Sequence, residues 1–243
     1  LEKSAIRAAT AVITICPDLA ETVTRHLKDS SNHFLIENSI FESVNLASNP
    51  PADSPEHTLM AALPKRPLVV YSGTFEAYQG LDLLVEAFAR IHHQTDASLV
   101  LVGGTPAQVD RYRAVADSHG LNGSCLFTGR VSPTTARCLN QRATVLTSPR
   151  IHGTNTPLKI YEQLASGVPL VATRIHSHTQ VLDDQVCYLV EPTPEGMAAG
   201  LLEALTDTAR SESVTSQALA LYAKRYSRPV YEEKMRSLIQ LLS

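Results

Sequence analysis

Basic charge is in short supply in this chain of 243 residues: 21 Lys and Arg stand against 24 Asp and Glu, a net charge of −3. Nucleic-acid binding needs a broad positive field, so it is excluded as the main activity, and any anion site must be local. Paired cysteines are missing too. Cys16, Cys125, Cys138 and Cys187 lie far apart with no C-x-x-C spacing, which argues against a zinc site or a redox pair and for free thiols in a reducing compartment. No apolar run is long enough to cross a bilayer, and the opening LEKSAIRAAT has neither a starting methionine nor a charged-then-apolar leader. The expectation is a piece of a longer cytoplasmic protein. What is present is ordinary for a folded chain: 44% hydrophobic and 19% charged residues build a real core and exclude wholesale disorder. Against a prior of roughly 150 residues per domain, the length suggests one domain and a half, or two small ones.

Apolar runs with strand character are TAVITIC (10–16) and HFLIEN (33–38), with the helical PDLAETVTRHLKD between them. From Ser48 to Pro67 the composition turns to linker chemistry, with Pro50, Pro51, Pro55, Pro64 and Pro67 in a polar stretch. Beyond it, strand and helix patterns alternate. PLVVYSG (67–73) precedes a helix with Leu81, Leu84, Val85, Phe88 and Ile91 at helical spacing; ASLVLVGG, SCLFTG, ATVLTS, PLVAT and VCYLVE are further strands, most followed by helical segments. Such alternation predicts an α/β fold with a Rossmann-like, doubly wound parallel sheet, helices on both faces and the ligand at the carboxyl ends of the strands. In the last segment Tyr231, Met235, Leu238 and Leu242 share a stripe, read as a helix docked on the body.

Two stretches carry candidate chemistry. In GTNTPLKIYEQLASG (153–167), Thr156 before Pro157 reads as an N-cap with proline at the first helical position. Lys159 then falls in the first turn, where a cation is disfavoured by roughly 0.3–1 kcal/mol unless an anion is present. Glu162 shares its face, with Asn155 near the entrance. A phosphate resolves the conflict, since free N–H groups, the dipole and the lysine all favour it, while Glu162 offers two oxygens to a diol such as ribose. The other reading is an exposed Lys159–Glu162 ion pair worth a few tenths of a kcal/mol. In YSGTFEAYQG (71–80), Gly73 and Gly80 allow close backbone approach to a ligand, although no P-loop lysine follows; VGGTPA (102–107) lacks the third glycine of a dinucleotide fingerprint. His176 and His178 alternate as on a strand and read as structural rather than as metal ligands, and His152 stands directly before Gly153.

From Tyr71 to Thr173 the chain resembles the carboxyl-terminal half of a GT-B retaining glycosyltransferase of family 4, "group 1". YSGTFEAYQGLDLLVEAF is similar to that family's glycine loop and helix, LVLVGG to its second strand, LFTGRVSP to the loop beside the nucleobase, and GTNTPLKIYEQLASGVPLVAT to its signature. The resemblance implies four parts: the end of an acceptor domain (1–47), a linker (48–67), a Rossmann-like donor-binding domain (68–226) and a crossover helix (227–243). It implies donor contacts at Gly73, Thr74, Gln79, Gly80, Arg130, Val131, Arg150, Thr154, Asn155, Thr156, Lys159 and Glu162. Among these, Glu162 would hold the ribose hydroxyls, Arg130 and Val131 would frame the base, and Lys159 would stand near the diphosphate.

The chain departs from the pattern at the signature's first glutamate, which is Thr154, and at two cations of the glycine loop, which are Thr74 and Gln79. The resemblance implies a hexosyltransferase that takes its sugar from a UDP- or GDP-linked donor, uses no metal or other cofactor, and serves an acceptor glycan, lipid or small molecule, as in polysaccharide biosynthesis. The full-length protein would be the active form and the fragment inactive. It would work in the cytoplasm, at the inner membrane face if the absent half contacts lipid. A sugar-nucleotide epimerase on the same fold and a non-catalytic nucleotide-sugar-binding module are the alternatives.

Overall fold

The computed structural model describes residues 2–27, 29–37 and 54–243. Its amino-terminal segment runs through α1 (Glu2–Ala8), β1 (Val12–Thr14), α2 (Pro17–Thr24) and β2 (His33–Leu35), with β1 and β2 paired in parallel, Ile13 opposite Phe34. The end of the HFLIEN run and positions 48–53 of the proline-rich stretch lie outside the described residues. The remainder of that stretch contains a short helix, α3 (Pro55–Ala61), started by the Ser54 hydroxyl, which accepts from the His57 N–H at 3.1 Å.

Strands and helices then alternate: β3 (Leu68–Ser72), α4 (Leu81–Ile91), β4 (Ser98–Val102), α5 (Pro106–Ser118), β5 (Cys125–Gly129), α6 (Pro133–Gln141), β6 (Val145–Ser148), α7 (Lys159–Leu164), β7 (Leu170–Thr173), α8 (His176–Thr179) and β8 (Tyr188–Val190). Three helices, α9 (Pro194–Thr206), α10 (Thr208–Arg225) and α11 (Arg228–Leu242), close the chain. The helices α5, α6 and α9 open alike. Thr105, Ser132 and Thr193 each stand before a proline, and each side chain accepts the backbone N–H three residues on. That bond satisfies one donor a helix start leaves free, while the proline has no donor to lose.

All six strands from β3 to β8 are parallel, in the order β5-β4-β3-β6-β7-β8. This is a doubly wound sheet whose direction of winding reverses between β3 and β6. Period-2 alternation sends side chains to two cores. Val69, Tyr71, Leu99, Leu101, Val145 and Val171 join the core under α4, α5 and α9, whereas Leu68, Val70, Val100, Leu146, Leu170 and Ala172 join the core with α7 and Tyr222 of α10. Both faces are therefore covered, as a parallel sheet requires. Leu81, Leu84, Val85, Phe88 and Ile91 of α4 are all buried, as their spacing predicts.

The final helix matches its predicted stripe only in part. Leu238 is buried and Tyr231 and Met235 are half-buried, but Leu242 is 57% exposed. Near its middle, Lys234 pairs with the buried Glu37 at 3.4 Å, joining α11 to the residues after β2.

Candidate functional site

The loops that leave β3 and β6 emerge side by side where the winding reverses, and their backbones touch. Gly80 has φ 72°, and a Cβ there would sit 2.0 Å from the Pro149 carbonyl oxygen; at Gly103 (φ 125°) a Cβ would sit 2.0 Å from the Gly73 carbonyl oxygen. Only glycine allows both approaches. Behind them Phe75 meets Tyr112 edge to face at 5.6 Å, and the Tyr112 hydroxyl donates to Asp82 at 3.0 Å, which makes a firm floor.

Between the loops after β3, β4 and β5 lies a cavity of about 290 Å³. Of the residues singled out in the sequence, Gly73, Thr74, Arg130 and Val131 line it. Glu76, Gly104 and Gln108 line it too and were not foreseen. Gln108 had a signal in the sequence: TPAQ has the spacing of a capping box, and the Gln108 carbonyl oxygen accepts from the Thr105 N–H at 2.9 Å while its amide donates to the Phe75 carbonyl at 3.2 Å.

Gln79, Gly80, Arg150, Thr154, Asn155, Thr156, Lys159 and Glu162 lie outside that lining, on the side of the signature loop. The two groups meet at Tyr71. Its hydroxyl donates to the Thr74 carbonyl at 2.6 Å, and the Lys159 ammonium sits over its ring, 4.4 Å from the centroid. The lysine is half-buried as a residue, yet its Nζ is shielded from solvent and has no hydrogen-bond partner among the described residues. Burial first and the Arg150 guanidinium second pull its pKa down to about 7. The Lys159–Glu162 pair is not formed: Glu162 is half-buried and its charge acts on Tyr222 of α10. Gln79 likewise holds a shielded Oε1 without a partner among the described residues.

The signature helix opens later than its sequence suggests. Ile160 bonds back to Pro157 at 3.0 Å and Tyr161 to Leu158 at 3.2 Å, so 157 and 158 form a tight lead-in turn and the α-helix begins at Lys159. Thr156 is buried and caps nothing, and with six residues α7 has little dipole to offer. Free amides come instead from the preceding loop: among the described residues, the N–H groups of Gly153, Asn155 and Thr156 donate to no protein acceptor.

Arg150 holds that loop. Its Nε donates to the His152 carbonyl at 2.6 Å and its Nη1 to the Asn155 carbonyl at 3.2 Å, while its guanidinium carbon stands 5.2 Å from the Tyr78 ring centroid. Thr154 and Asn155 are exposed. The histidines predicted to alternate on a strand sit in α8 and point apart, because the chain turns helical at His176, after the extended Ile175. His176 Nε2 contacts Asp18 Oδ1 at 3.0 Å, and His178 is fully buried with Nδ1 2.8 Å from the Thr173 carbonyl and Nε2 3.0 Å from the Ser148 hydroxyl. Desolvation takes the His178 pKa down to about 4, so the ring is neutral at pH 7, donating from Nδ1 and accepting at Nε2. This neutral bridge ties the ends of β6 and β7 beneath the signature loop.

A family model described as "Glycosyl transferases group 1" matches residues 66–207, which covers the sheet, both loops and the lysine. The chain belongs to that family. Among curated relatives of this group 1 chain, an alpha-D-kanosaminyltransferase of Streptomyces kanamyceticus is 27% identical over 169 residues, covering 68% of the chain and 43% of the relative. A phosphatidyl-myo-inositol mannosyltransferase of Mycobacterium leprae is 26% identical over 162 residues, covering 66% and 42%. The chain thus spans less than half the length of these relatives. In solved structures, the fold matches sucrose-phosphate synthase of Thermosynechococcus elongatus (TM-score 0.78, 22% identity, 99% of this chain and 60% of that one). It also matches Anabaena HepE in complex with UDP (TM-score 0.80, 17% identity, 97% and 65%). Among the described residues no helix is long and apolar enough to cross a membrane.

Proposed function

We propose that this group 1 chain is the donor-binding half of a retaining glycosyltransferase that takes a hexose from a UDP- or GDP-linked sugar and passes it to a glycan, lipid or small-molecule acceptor. The observation that carries this reading is the Lys159 ammonium, shielded, without a protein partner, and set between the signature loop and the glycine loop. A buried cation is costly until an anion pairs with it, and a diphosphate supplies that pair. HepE, a structural neighbour, was obtained with UDP and with UDP-glucose, which supports a nucleotide sugar as the ligand class.

In this reading the base lies in the cavity beside Arg130 and Val131, Glu162 takes the ribose diol, and the diphosphate reaches Lys159 and the loop amides. Breaking the glycosyl–phosphate bond leaves negative charge on the departing diphosphate. Preorganised N–H donors and an ammonium aimed at that charge lower the barrier without a metal ion. The departures at Thr74 and Gln79, where the family has cations, leave Lys159 as the main cation for this work. We assign residues 1–47 to the acceptor domain, 48–67 to the linker, 68–226 to the donor domain and 227–243 to the crossover helix; catalysis then belongs to the full-length protein, whose two domains form the cleft.

Calorimetric titration of the chain with UDP-glucose and with a GDP-sugar tests the proposal. Saturable binding of one of them is expected, with a stabilisation of about 2.7 kcal/mol at 100 times the dissociation constant. A chain silent to both, and to UDP and GDP, overturns it. In the full-length protein, a sugar that epimerises without any acceptor would move the assignment to an epimerase.

A further inference from the structure

We infer that Arg150 and Gln180 are positioning residues that aim the amides of the signature loop, and that Gln180 ties this aim to the placement of the amino-terminal segment; the phosphate end of the inference rests on the proposed donor site. Three carbonyls of the loop are pinned. Arg150 holds those of His152 (Nε, 2.6 Å) and Asn155 (Nη1, 3.2 Å), and the Gln180 side-chain amide donates to that of Thr154. In a trans peptide the N–H of the next residue points opposite to the carbonyl. Pinning these oxygens therefore turns the N–H groups of Gly153, Asn155 and Thr156 away from Arg150 and Gln180, and none of the three donates to a protein acceptor among the described residues. The shielded Lys159 ammonium, also without a partner, independently marks the neighbourhood as one that awaits an anion.

The other end of Gln180 reaches across the molecule. Its Oε1 accepts from the Asp18 N–H at 2.9 Å, at the start of α2. The same junction is flanked by His176 Nε2 on Asp18 Oδ1 at 3.0 Å and by a weak contact from Cys16 Sγ to Asn155 Oδ1 at 3.8 Å. One planar amide thus bridges the turn between β1 and α2 to the signature loop. The chemistry requires glutamine: glutamate accepts from Asp18 but repels the Thr154 carbonyl, and lysine or arginine donates to Thr154 but offers Asp18 nothing. A shift of the amino-terminal segment is thereby transmitted to the orientation of the Thr154–Asn155 peptide.

The test compares the unmodified chain with Gln180→Glu and Gln180→Met, measuring affinity for the nucleoside diphosphate and for the corresponding nucleoside. For both variants the diphosphate is expected to bind about tenfold more weakly, the worth of one hydrogen bond to a charged group, with nucleoside affinity unchanged. Hydrogen exchange at the Asp18 amide should accelerate in Gln180→Met, which loses the acceptor, and stay protected in Gln180→Glu, which keeps it. Equal diphosphate affinity in all three chains overturns the inference while leaving the donor site standing; so does an equal loss for nucleoside and diphosphate, which marks a merely structural residue. An unmodified chain that binds neither UDP nor GDP removes the donor site and this inference together.

Discussion

Lys159→Met is expected to weaken binding of a sugar nucleotide by about 10- to 100-fold and, at the same time, to make the empty chain more stable. Methionine keeps the length and much of the volume of the lysine stem and removes only the charge. Affinity falls because a charge-assisted contact to phosphate, worth about 1.5–3 kcal/mol, is gone. Stability rises because the empty chain no longer shields an unpartnered ammonium over the Tyr71 ring, where burial has already drawn its pKa down to about 7. Relief of that desolvation is expected to be about 1–3 kcal/mol, reduced from the full cost because the residue is only half-buried and the ring face returns part of the loss. A lysine kept for structure behaves oppositely, its loss lowering stability and leaving ligand affinity alone. Titration calorimetry and a thermal melt of the same two samples separate the cases, and a less stable methionine variant with unchanged affinity refutes the assignment.

The opposite signs belong to one design. An uncompensated cation in a folded chain is maintained at the expense of stability, and the structure contains the scaffold that maintains it. The neutral His178 links Ser148 and the Thr173 carbonyl beneath the loop; Thr173 in turn donates to the Arg150 carbonyl, and Arg150 gathers the loop carbonyls. The bonds of His178 and Thr173 are buried or partly buried and those of Arg150 lie at the exposed surface above them, so the loop approaches the ligand already shaped. Preorganisation of this kind lowers the ordering cost of binding.

How far the sequence foretold this depends on which signals are local. Helices α5, α6 and α9 were legible because a threonine or serine before proline is both the signal and the physical cause of the start. The same pair at Thr156-Pro157 misleads, since the tight turn at 157–158 takes over and Thr156 goes inward. The 18-residue α10 left little trace because Val214, Ala218 and Tyr222 are its only buried side chains, too sparse a stripe to stand out from a polar segment. At the site, Lys159 could be singled out because a cation beside free amides is a local contradiction. Arg150 and Gln180 could not be assigned from the chain alone, because their roles consist of contacts with carbonyls at 152, 154 and 155 and, for Gln180, with Asp18, which is 162 residues away. Such roles exist only once the winding of the sheet has brought the loops together.

Donor affinity is expected to fall steeply above neutral pH. UDP-glucose is the suitable probe, because both its phosphoryl groups are esterified and carry no proton that titrates near neutrality. In the empty chain Lys159 has a pKa of about 7, and the bound diphosphate returns it toward its ordinary value near 10.5. Binding above pH 7 must therefore take up a proton, and affinity drops by up to about tenfold per pH unit, or about 50-fold between pH 7 and 9. His178, with its pKa near 4, stays neutral across this window and Tyr71, pushed up by burial, stays a phenol, so neither competes for the assignment. The stability of the empty chain moves the other way. The folded pKa is depressed, the unfolded chain binds more protons between pH 7 and 10.5, and stability rises with pH across that range. Calorimetry in buffers of different ionisation enthalpy should read close to one proton taken up per donor at pH 8 and about half of one at pH 7. Lys159→Met should be flat in both respects; if the unmodified chain is equally flat, its ammonium is not the group that meets the diphosphate.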